Sequence, residues 1–215
     1  MIMYSQKFYS LVPQEQLFCL KAATHEAGHA LAGYFVGWPI DNIRLEINGQ
    51  NLLERGATLY FKGDDEKIIR AVLDYATHPE KYDALTNDEK ENIPNIIDKR
   101  MAVLISGPAA EVRFYNKRDF IFPDLPDSEN DYIVFCRLRD FLKLFPQYSG
   151  DGIGSAIETA NLVFKHPKIQ LIVSALHEAL LQKEDFYLAQ DDIKQILDSN
   201  GFGQILEAIE AGNQI

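Results

Sequence analysis

From Gln14 to Phe35 the chain runs without a proline, and Pro13 ahead of it suits the first position of a helix, where its missing N–H costs nothing. Gly37-Trp38-Pro39 closes the stretch. A long helix is therefore predicted here, and it carries His25, Glu26 and His29 in the pattern His-Glu-x-x-His. Helical residues four apart share a face, roughly 5–6 Å apart at Cβ, so both imidazoles can reach one cation. Glu26 lies beside them, close enough to touch a water on that cation without ligating it. Two neutral nitrogen ligands, a base and an open coordination position are what a zinc hydrolase needs. Gly28, inside the same helix, predicts close packing, either over the site or simply against another helix.

The rest of the chain reads as mainly helical with a minor β element, an α+β fold in one compact domain over residues 1–215. Residues 43–47 and 57–61, on either side of Asn48-Gly49, predict a short hairpin or two small strands. Asp64 or Asp65 caps a helix to about Tyr75, and 78–92 reads as loop or a short helix. Pro94 opens a long helical pattern to about Tyr115, which Gly107-Pro108 should kink or split. A loop over 117–127 precedes a helix capped by Asp127 or Ser128 that runs to about Phe145. Further helices are predicted at about 153–165, 168–183, 190–198 and 202–211.

Net charge is −11, which disfavours nucleic acid and anionic membrane surfaces as partners. Two cysteines, Cys19 and Cys136, make no disulfide framework and fit a reducing compartment. Neither a signal-peptide core nor a run of about 18 apolar residues occurs, so a cytoplasmic location without a membrane span is expected.

Two histidines hold zinc weakly, so a third ligand is expected. A metzincin would place a third His six residues after His29, where the chain has Phe35. The remaining histidines are His78, His166 and His177, for each of which a surface or capping role is the simpler account. Carboxylates are better candidates. Glu111 lies on the helix that Pro94 opens, and Asp131 lies one turn into the following one, where complementing the helix dipole is the competing account of a carboxylate. Spacing alone leaves both open.

The stretch Ala23-Thr24-His25-Glu26-Ala27-Gly28-His29-Ala30-Leu31 resembles the protease domain of the FtsH family, the ATP-dependent zinc peptidases. Gly107-Pro108-Ala109-Ala110-Glu111 resembles that family's Gly-x-Ala-Ala-Glu block. Ser128-Glu129-Asn130-Asp131 resembles its Ser-Asn-Asp block with one residue inserted. Ala175 to Leu181 and Ile193 to Leu197 resemble its C-terminal helices. The resemblance spans about 13–198 and keeps the order of the blocks. It implies a zincin-like helical domain and favours Asp131 over Glu111 as the third zinc ligand, which leaves Glu111 as a candidate either for support behind the ligands or for helix packing. It also implies that a peptide lies along an edge strand matching Gly56, Ala57, Thr58 and Leu59.

The function so implied is a zinc metalloendopeptidase, with Zn2+ on His25, His29 and Asp131 and Glu26 as general base. It would act on peptide or unfolded protein, as a self-associating chain or beside a separate ATPase. No Gly-x-x-x-x-Gly-Lys-Ser/Thr loop occurs in these residues, so hydrolysis is expected without ATP. The loop ahead of Asp131 also lacks the family's Thr-Thr-Gly element. Two other functions compete: a catalytically silent peptidase-like domain that binds peptides or proteins, and a zinc hydrolase of a non-peptide bond.

Overall fold

The computed structural model describes residues 3–38, 40–60, 64–121, 130–145 and 152–210. Among them the fold is mainly α with a small antiparallel sheet, the α+β class expected. The chain begins with α1 (Gln6–Ser10), α2 (Pro13–Phe35), β1 (Ile40–Ile47) and β2 (Leu53–Tyr60). It continues through α3 (Asp64–Leu73), α4 (Pro79–Asp83), α5 (Asn87–Glu91) and α6 (Ile93–Glu111), which passes into a π-helical segment (Val112–Asn116). Then come α7 (Asn130–Leu144), α8 (Gly152–Lys165), α9 (Pro167–Gln182), β3 (Tyr187–Ala189), α10 (Gln190–Ser199) and α11 (Phe202–Glu210). The expected caps Asp127 and Ser128 lie outside the described residues.

Helix α2 starts at Pro13, as predicted, and every residue from Ala23 to Gly33 is buried. Its end is set by Gly37, whose φ of 76° lies in the left-handed region. Trp38 N–H then donates to the Gly33 carbonyl at 2.7 Å and Gly37 N–H to that of Tyr34 at 3.2 Å, satisfying two terminal acceptors. Small residues on α2 let α6 approach closely. A Cβ on Gly28 would strike the Ser106 carbonyl and come 2.7 Å from Ala110 Cβ, so this glycine serves the helix crossing.

Helix α6 runs unbroken through Gly107-Pro108, so of the expected kink or split the split does not occur. Proline removes the i+4 donor from the Leu104 carbonyl, a defect worth about 3 kcal/mol in an isolated helix. Residues 101–110 are all buried, and that packing holds the helix together across the defect.

The sheet order is β2-β1-β3, so β2 is an edge. Central β1 pairs antiparallel with both neighbours, Ile43 lying opposite Thr58 on one side and Leu188 on the other. Strand β3 was not foreseen. The buried carboxylate of Glu15, on α2, accepts the Leu53 N–H at 2.8 Å and ties the start of β2 to that helix. One apolar cluster, from Phe8 to Ile205, joins the sheet to α2, α6, α8 and α9. No helix among the described residues is long and apolar enough to cross a membrane.

Candidate metal centre

His25 and His29 lie on the buried face of α2, their rings edge-to-face with centroids 4.6 Å apart. Asp131 enters from the first turn of α7. Its Oδ2 is 2.8 Å from His29 Nε2 and 3.2 Å from His25 Nε2. One donor atom from each of the three lies within 4.8 Å of the others. Ligands around a tetrahedral zinc at about 2.0–2.1 Å stand about 3.3 Å apart, so this donor set fits such an ion.

The opposite ring nitrogens are held as well. His29 Nδ1 donates to the Val103 carbonyl at 2.8 Å, and His25 Nδ1 donates to Glu111 Oε1 at 2.6 Å. A proton fixed on Nδ1 leaves the Nε2 lone pair for a metal. Glu111 therefore stands behind His25, away from the side where Asp131 sits. Burial works against charge on both sides of this cluster, yet each group's partners prevail. The His29 and His25 rings hold the Asp131 carboxyl far below the usual range, and Asp131 and Glu111 raise His25 well above its own.

The helix α6 backbone forms the floor. A Cβ on Gly107 would come 2.6 Å from the Nε2 atoms of both His25 and His29. Sequence reasoning placed Gly107 in a kink or split of the helix and in the block resembling Gly-x-Ala-Ala-Glu, and missed this contact with the two imidazoles. Its signal, a glycine inside a helical pattern, was visible. The Val103 carbonyl carries no side-chain signal at all.

Glu26 is buried and faces β2. Thr58 Oγ1 lies 2.8 Å from Glu26 Oε2, and a Cβ on Gly56 would come 2.5 Å from Oε1. A cleft of about 750 Å³ opens over these groups and is lined also by Phe18, Leu53, Arg100 and Leu104. Gly56, Ala57 and Thr58 line it; Leu59, expected with them, does not.

The other histidines stay away from the centre. His78 is exposed beside Glu80, and His166 caps α9 by accepting the Lys168 N–H. His177 is buried with Nδ1 2.8 Å from Thr24 Oγ1, stacked on Phe114, and burial pushes its pKa down to about 4. Both cysteines are free, and burial pushes the Cys19 thiol up to about 11, so it stays protonated and a poor metal ligand.

No protein-family model matches this chain, and no curated protein matches it. What the geometry defines is a site of two histidines and an aspartate able to hold a metal ion, with a carboxylate beside it in a cleft.

Proposed function

We propose that this protein is a zinc-dependent metalloendopeptidase similar to the peptidase domain of the FtsH family, acting without ATP as an isolated chain. The observation that carries the reading is the convergence of His25 Nε2, His29 Nε2 and Asp131 Oδ2, with Glu26 on the same helix and an open cleft above. When bound, zinc supplies an acidified water and an electrophile for the scissile carbonyl.

The residues do the remaining work. Val103 and Glu111 fix both imidazoles in the tautomer that leaves Nε2 available. Glu26 takes a proton from the attacking water and returns it to the departing amine nitrogen. Edge strand β2 offers one side of its backbone to an extended peptide, which would pair with it as an added strand.

Glu26→Gln tests the reading. The variant should keep its zinc and lose cleavage of casein or of a peptide library by at least about a hundredfold. Cleavage at the parent rate would refute the mechanism. A parent that binds zinc and cleaves no peptide would favour a non-peptide substrate; one that takes up no zinc would favour a binding domain.

A further inference from the structure

We propose that Thr58 is the positioning residue for Glu26, and that position 56 is glycine because the Glu26 carboxylate occupies the space a side chain would need. The inference rests on the reading of Glu26 as the base.

Thr58 Oγ1 lies 2.8 Å from Glu26 Oε2 and 2.9 Å from the Glu26 backbone carbonyl. One hydroxyl thus bridges the two ends of the same residue and restrains the torsions between them. On the other oxygen, a Cβ at residue 56 would stand 2.5 Å from Oε1 and 2.9 Å from Cγ. Residues two apart on a strand share a face, so Gly56 and Thr58 together turn that face of β2 toward α2. By the same alternation Ala57 and Leu59 belong to the opposite face of the strand. The four residues expected along a peptide therefore divide into two pairs, and the pair Gly56 and Thr58 meets Glu26.

The clamp is itself anchored. Thr58 pairs with Ile43 of the central strand, and Leu53, at the start of β2, is tied to Glu15 of α2. A base works only within hydrogen-bond reach of the proton it removes, and a misplacement of about 1 Å costs about a hundredfold. Glutamate's torsions give it that freedom unless something removes it.

Thr58→Val keeps the β-branched shape suited to a strand and deletes only the hydroxyl. Crystal structures of the zinc-loaded parent and T58V read where the carboxylate sits, and peptide cleavage reads kcat and KM. In T58V the carboxylate should leave its position or spread over several rotamers, and kcat should fall about tenfold with KM little changed. T58S should recover most of the loss. Gly56→Ala, which displaces the carboxylate with the hydroxyl intact, should reproduce the fall in kcat. A T58V carboxylate that stays in place, or a T58V kcat equal to the parent's, overturns the proposal, as does a fully active G56A. A parent without peptidase activity would refute the proposed function instead. A displaced carboxylate in T58V would then still support the positioning role.

Discussion

Glu111 Oε1 lies 2.6 Å from His25 Nδ1, gripping the ring nitrogen opposite the one that faces Asp131. A carboxylate so placed orients the imidazole and makes it a better donor. Glu111→Ala should weaken zinc binding by about 10–100-fold, measured by competition with a chelator, while cleavage at saturating zinc remains. Equal affinity in E111A would remove Glu111 from the site. Asp131→Ala should cost more than E111A, because a ligand and not its support is lost.

Gly107 lies against both Nε2 atoms. Neither ring can retreat cheaply, since each is buried and pinned at Nδ1. Gly107→Ala should therefore abolish zinc uptake while the far-ultraviolet circular dichroism of the metal-free protein stays close to the parent's. A G107A protein that loads zinc normally would contradict the position of the α6 floor.

Gly28 tests packing instead of chemistry. An added methyl meets backbone at Ser106, which cannot swing aside. Gly28→Ala should destabilise the fold by about 1–3 kcal/mol in urea denaturation, with the loss present whether or not zinc is bound. No loss of stability would mean that α2 and α6 are less tightly crossed.

His177 gives the pH dependence. Its pKa is about 4 in the folded chain because burial disfavours the charged ring, against about 6.5 when unfolded. The unfolded chain then binds the proton first. The contribution to stability is complete above about pH 6.5 and is lost as pH falls toward 4, on the order of 3 kcal/mol. His177→Phe, which keeps an aromatic ring against Phe114, should flatten that part of the stability curve. An unchanged pH slope in H177F would show that the ring is not held neutral.

What was legible in the sequence was local. His25 and His29 share a face because α-helical spacing places residues four apart together, and Pro13 marks where that helix begins. Asp131 and Glu111 could not be separated by spacing, because each depends on where another helix docks: α7 brings one to Nε2, α6 brings the other to Nδ1. Strand β3 has only three residues and exists through its pairing with β1, more than 140 positions earlier in the chain. Gly107-Pro108 misled for a related reason. The local rule predicts a kink or a split, and the buried surroundings of α6 prevent the split. Thr58 and Gly56 were noticed as part of an edge strand, but their contact with Glu26 spans about thirty residues and appears only in three dimensions.

The central claim is that His25, His29 and Asp131 hold zinc. X-ray absorption at the zinc edge, on the parent protein after zinc loading, tests it most directly. The account predicts one tightly held ion per chain with only nitrogen and oxygen neighbours, at about 2.0–2.2 Å and including the signature of two imidazoles. A protein that retains no zinc, or an ion with a sulfur neighbour at about 2.3 Å from Cys19 or Cys136, would contradict it.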